Sequence, residues 1–219
     1  MPMKQIAARL GVSPASVHAW TRDIEVSEDH RVRNLRAASQ KRARRWIEVN
    51  RTRRLSYQLE GRHQARAGDA QHQAGCMLYW AEGGKDRGTV NFANSDRAML
   101  VFFWRFLRCQ FDIDPLRVRV RLNVYLNNGL TLAEIEDWWN EGLQVPRACF
   151  GGHTTDHYPT SSSGKKRNKL PYGVCTLRLY DTRIVQHIFG AIQEYGGFEE
   201  PRWLDGRPRK SPAGRRPRT

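Results

Sequence analysis

The sequence predicts an α+β protein: a small all-α module, a helical basic linker, then an α/β-sandwich-like domain whose mixed or antiparallel sheet is covered by helices on one face. Three observations carry this. Residues 4–24 space their apolar side chains at helical intervals around a single glycine. Residues 31–61 contain no proline and are rich in Arg, Ala, Gln and Leu, which suit a helix. From about residue 69 to 198, short segments of alternating polarity are interleaved with amphipathic helical ones, the pattern of a sheet packed against helices. The divisions drawn on this basis are 1–30, 31–68, 69–200 and a basic tail, 201–219.

In the first segment, Ile6, Ala7 and Leu10 form the inner face of one helix, with Ala7 small enough for a close crossing. Gly11 supplies a turn with positive φ, and Val12 packs beneath it. Ser13-Pro14 is an N-cap followed by a first-turn proline, so a second helix starts there, anchored by Val17 and Trp20. This spacing resembles the DNA-reading helix-turn-helix. The resemblance implies that the second helix enters the major groove with Ser13, Ala15, Ser16, His18, Ala19 and Arg22 on its exposed side.

The net charge of +15 is localised. Residues 31–66 hold twelve Lys or Arg against Glu48 and Glu60, and residues 201–219 hold seven against Asp205. The rest of the chain carries about one net negative charge. Such clustering is the footprint of a polyanion partner, and Arg42, Arg44 and Arg45 are taken as phosphate contacts. The linker reads as one or two helices, interrupted near Gly61 and Gly68, with a thin apolar stripe of Leu35, Trp46, Val49, Leu55 and Leu59. The Pro- and Arg-rich tail lacks the apolar content to fold alone. Cys76, Cys109, Cys149 and Cys175 are scattered, as expected of reduced thiols in a cytosolic protein. With no signal-like segment and no membrane-length apolar run, the expectation is a cytoplasmic, nucleoid-associated protein with no membrane partner.

The mixed region opens with an apolar helix, Ala74–Glu82, closed by Gly83-Gly84. A strand over Thr89–Ala93 follows, then a helix over Asp96–Phe111 capped by Ser95 or Asn94. Further strands are expected over Arg117–Leu126 and Val174–Tyr180, with short extra ones near Val145 and Cys149–Phe150. Helices are expected over Leu132–Gly142 and Thr182–Tyr195. Alternation places Arg117, Arg119, Arg121, Asn123 and Tyr125 on one face of their strand, and Thr176, Arg178 and Tyr180 on the same side of another. With Thr89 and Asn91 they form a polar face suited to phosphates and base edges. Lys165, Lys166 and Arg167, in the loop before the last strand, are candidate backbone clamps.

The segment AGCMLYWAEGGK, followed by this order of elements, resembles the LAGLIDADG homing endonucleases and their non-cleaving relatives over roughly residues 72–198. Ala74-Gly75 and Ala81-Glu82-Gly83 match, and the middle of the helix is bulkier and more aromatic. The resemblance implies a curved sheet that straddles DNA, and Glu82 as the catalytic, metal-binding carboxylate. Cleavage then needs Mg²⁺ and a homodimer, because this chain has one such motif; Lys85 and Lys165 are candidate charge stabilisers. His153 and His157 lie in a loop-like stretch with Asp156 and are not read as a zinc site. No small-molecule cofactor is evident. The leading expectation is a sequence-specific, transcription-regulator-like binder of double-stranded DNA that needs no cofactor to bind. The alternative is a homodimeric, Mg²⁺-dependent endonuclease. A third reading, an RNA-binding or chromatin-associated protein, leans only on the basic segments.

Overall fold

The computed structural model describes residues 3–24, 27–126, 129–155 and 170–205. It is a mixed α+β protein with a four-stranded sheet, and it divides into two compact units, residues 1–49 and 50–219. The division falls inside the basic segment rather than at either end of it.

The first unit contains α1 (Met3–Leu10), α2 (Pro14–Trp20) and the start of α3 (Glu28–Arg66). Gly11 has φ +64°, which lets the chain turn sharply after α1. Ser13 caps α2, its Oγ accepting from the Ser16 amide at 3.1 Å. Ala7 and Val17 are buried, as their spacing predicts. Leu10 and Trp20 are not anchors: they stay 60% and 62% exposed. Two helices of eight and seven residues bury little more than the pair of side chains at their crossing.

The second unit holds the rest of α3, then α4 (Ala70–Glu82), β1 (Val90–Asn94), α5 (Arg97–Phe111), β2 (Arg119–Val124), α6 (Leu132–Leu143), β3 (Thr154–Thr155), β4 (Val174–Leu179), α7 (Thr182–Gly196) and α8 (Pro201–Asp205). The sheet order is β1-β4-β2-β3. β4 pairs antiparallel with both β1 and β2, and the short β3 is parallel to β2. Val90, Phe92, Val120, Leu122, Val124, Cys175, Leu177 and Leu179 point to the buried face. There they join Tyr79 of α4, Phe103 and Phe106 of α5, and Ile188 and Phe189 of α7 in one core.

Several expected boundaries shift for identifiable reasons. Asp96, rather than Ser95 or Asn94, caps α5, because its carboxylate reaches the Ala98 and Met99 amides. Arg117 is not in a strand; Pro115–Arg117 form one 3₁₀ turn capped by Asp114. Near Val145 and Cys149–Phe150 the chain makes a 3₁₀ turn and a single bridge from Phe150 to Val120, and β3 comes four residues later. The tail begins with an ordered helix. Trp203 of α8 stacks on Phe189 with ring centres 4.6 Å apart, which buries both Trp203 and Leu204.

α3 runs unbroken through Gly61, and Gly68, at φ +77°, lies just past its end. Gly61 serves a close approach instead. A Cβ there would lie 1.9 Å from the His187 carbonyl oxygen, and one on Gly190 would lie 2.0 Å from that of Gln58. α3 and α7 therefore cross backbone to backbone through two glycines. Beside the crossing, buried Gln58 donates to Gln186 at 2.8 Å, and Gln186 donates to the Arg87 and Trp203 carbonyls. Gln193 accepts from the Glu200 amide at 2.8 Å. These carboxamides satisfy one another and the loop backbones that a purely apolar core would leave unpaired.

Candidate nucleic-acid interface

On α2, Ala15 and His18 are exposed. Ser13 and Ser16 are hydrogen-bonded to each other through their hydroxyls at 2.9 Å, so both help set the helix start. Arg22 lies just beyond the helix, well exposed, 3.6 Å from Asp23.

The basic helix divides into two chemically different halves. In the first unit, Arg31, Arg36, Lys41, Arg42, Arg44 and Arg45 are exposed and make no ion pair among the described residues. In the second unit four of the five arginines of α3 are engaged, and Arg53 is exposed. Arg51 bonds Asp205 at 2.7 Å, Arg54 donates to the Leu204 carbonyl at 2.8 Å, Arg62 bonds Glu199 at 2.7 Å, and Arg66 grips Glu194 through two nitrogens. Those four hold α3 to α7, to α8 and to the turn between them. The charge count alone therefore overstates what this helix offers to a phosphate backbone.

The second basic surface is the open face of the sheet. Register sets Arg119 directly opposite Arg178, with Asn91 on the far side of Arg178. The next row is Arg121, Thr176 and Ala93, and Asn123 lies opposite Val174. No acid stands among these outward positions. Arg121 and Arg178 make no ion pair or hydrogen bond among the described residues, whereas Arg119 donates to the Leu116 and Val118 carbonyls. Arg117, expected in this row, pairs with Asp181 at 2.8 Å. Like charges set across a strand pair repel, and no acid among the described residues pairs with Arg119, Arg121 or Arg178 to compensate them. Lys165, Lys166 and Arg167, together with Asp156 and His157, lie outside the described residues.

Glu82 is the last residue of α4 and is exposed. Gly83 bridges to Phe92, and the Gly84 amide donates to the Asn91 carbonyl at 2.7 Å, so the end of α4 runs along the edge of β1. A Cβ on Gly83 would strike the Tyr79 ring, so this turn requires a glycine. Lys85 is tied down: its Nζ donates to the carbonyls of Tyr79, Trp80 and Gly83 at 3.1, 2.9 and 2.6 Å. It closes the C-terminal end of α4, a helix-capping role instead of one at a reaction centre. Desolvation lowers its pKa, and Glu82 opposes that shift. Among the described residues no group of three or more His, Cys, Asp or Glu is placed to hold a metal. A single chain thus offers Mg²⁺ one carboxylate here, short of the oxygen set it needs.

His153 has a structural task. Its Nδ1 accepts from the Leu122 amide at 3.0 Å and its Nε2 meets Glu136 at 2.7 Å, linking β2 to α6. The sequence reading missed a cluster at the opposite end of α4. Buried His72 meets the Tyr195 hydroxyl through Nδ1 at 2.9 Å and His187 Nε2 through its own Nε2 at 3.0 Å. Burial lowers the pKa of both histidines; that of His187 falls to about 4, with His72 and Arg183 pushing the same way. The available signal was a histidine on the inner face of each of two apolar helices.

No protein-family model, no curated protein and no solved structure matches this chain. No helix among the described residues is long and apolar enough to cross a membrane.

Proposed function

We propose that the protein is a sequence-specific, transcription-regulator-like binder of double-stranded DNA. In this reading α1 and α2 act as a helix-turn-helix, the free arginines at the start of α3 contact phosphates, and the open face of the sheet meets a groove. The observation that carries it is the acid-free outer face, where Arg119 and Arg178 stand opposite each other and Arg121 lies one row along. Such a face is relieved by a polyanion, and its Asn and Thr neighbours have the donors and acceptors that base edges require. The protein acts as a homodimer, in line with the resemblance of its α4 segment to LAGLIDADG proteins, and is placed with the nucleoid in the cytoplasm. Selection from a randomised duplex library tests this directly. The expected result is one enriched motif for the full chain and a changed motif for His18→Ala or Arg22→Ala; recovery of random sequence refutes it.

The second reading is a homodimeric, Mg²⁺-dependent endonuclease. It is favoured by the exposed Glu82 at the end of α4, where Gly83 and Gly84 run along the edge of β1 and Gly84 bonds Asn91, whose Oδ1 is buried without a partner among the described residues. Because one chain supplies a single acid there, a second copy has to contribute its own Glu82. Incubating the selected duplex with Mg²⁺ separates the two readings: cutting by the unaltered chain and none by Glu82→Gln establishes the enzyme, and intact DNA in both eliminates it.

A further inference from the structure

An open groove of about 690 Å³ runs along α3, bounded by the end of α5 and the start of α7. Leu59 and Phe111 give it an apolar wall, and Gln64, Arg183 and His187 give it a polar one. Glu60, the acid on this wall, is held by Arg183 at 3.3 Å.

His187 is the outer member of a buried chain of hydrogen bonds. Its Nε2 and that of His72 are 3.0 Å apart while the ring centres are 5.2 Å apart. The two imidazoles therefore meet nitrogen to nitrogen, with one proton between them. Among the described residues no group of three or more His, Cys, Asp or Glu is placed to hold a metal ion, so this is a proton-sharing contact even with the Cys76 sulfur 3.7 Å from His72 Nε2.

The order of the protons follows from counting donors. Each neutral imidazole carries one N–H. The Tyr195 hydroxyl has His72 Nδ1 as its partner among the described residues. When His72 Nδ1 accepts the phenolic proton, His72 keeps its own proton on Nε2 and donates it to His187 Nε2. That leaves the His187 proton on Nδ1. The reverse order strands the Tyr195 proton without an acceptor in a half-buried site, which costs free energy. Tyr195, His72 and His187 thus form a directed relay whose free end is an N–H donor at the groove.

We propose that this groove binds a small organic anion, with an acceptor oxygen on His187 Nδ1–H and an apolar body against Leu59 and Phe111. Arg183 at the rim supplies the positive charge once the incoming acceptor takes the place of Glu60 as its partner. The acceptor is a carboxylate or a phosphate monoester, since both present the same oxygen to the same donors. The inference is independent of DNA binding.

The test uses the full chain and three probes: benzoate, phenyl phosphate and inorganic phosphate. Imidazole ¹⁵N spectra of the free protein are expected to show the proton on Nε2 of His72 and on Nδ1 of His187. Benzoate, phenyl phosphate or both then shift the His187 and Phe111 signals saturably, and which one does so identifies the headgroup. Inorganic phosphate, lacking the apolar body, binds at least about tenfold more weakly. Tyr195→Phe weakens binding about fivefold, the effect of losing one hydrogen bond's worth of ordering, while the spectrum remains that of a folded protein. A bare Nδ1 on His187 in the free protein overturns the proposal. So does silence of His187 toward all three probes at tens of millimolar, or unchanged affinity in Tyr195→Phe.

Discussion

The paired histidines make the stability of the larger unit depend on pH in a window where few other groups titrate. The pKa of His187 falls from 6.5 to about 4 on folding, chiefly through burial. A depressed pKa means that the unfolded chain takes up the proton first. The associated stability is therefore fully present above pH 6.5 and is lost as pH falls toward 4. A shift of about 2.5 units corresponds to about 3 kcal/mol in total, of which about 2 kcal/mol is lost between pH 7 and pH 5. The carboxylates with depressed pKa values, Asp69, Glu134, Glu194 and Glu200, lose their contributions at lower pH, that of Glu200 only near 2. Urea unfolding of the full chain at pH 7, 6 and 5, followed by tryptophan fluorescence, measures the effect. His187→Gln is expected to be less stable at pH 7 but to lose much less between pH 7 and pH 5. Equal stability of the unaltered chain at both ends of that interval refutes the argument.

Other expectations follow from contacts already described. Gly61→Ala or Gly190→Ala forces α3 and α7 apart and should cost about 3 kcal/mol or more, visible as a large fall in Tm. Lys85→Met removes the cap of α4 and should cost about 1 kcal/mol in urea unfolding; a normal stability would return Lys85 to the list of candidates for direct contact with a phosphate. Arg121→Ala and Arg178→Ala should each weaken binding to the selected duplex about tenfold and flatten its salt dependence by about one unit, whereas Arg62→Ala should lower stability and leave the salt slope unchanged. An unchanged slope for Arg121→Ala, measured by fluorescence anisotropy across salt concentrations, would falsify the assignment of the sheet face.

The parts of the fold legible in the sequence are those that a local period determines. Alternation in RVRLNV and VCTLRL assigns each side chain to the correct face because the strand period is two and one face is buried. Ser13-Pro14 marked the start of α2 through chemistry confined to four residues. What was not legible depends on partners remote in sequence. Gly61 looks like a helix breaker until Gly190 is set against it. Arg51, Arg62 and Arg66 look like phosphate ligands until Asp205, Glu199 and Glu194 arrive from more than 120 residues away. Arg117 read as one more outward strand arginine because Asp181 is not its neighbour in the chain. His72 and His187 gave no sign of each other, since each alone resembles an ordinary helix residue.

The union of α3 with α7 and α8 also sets an order of events during synthesis. Arg51 and Arg54 await residues 204–205, and Gln58 awaits residue 186. Until nearly the whole described chain has left the ribosome, the second half of α3 has nothing to close against. Nascent protein must therefore carry a bare, arginine-studded helix until residues 186–205 have emerged to fasten it.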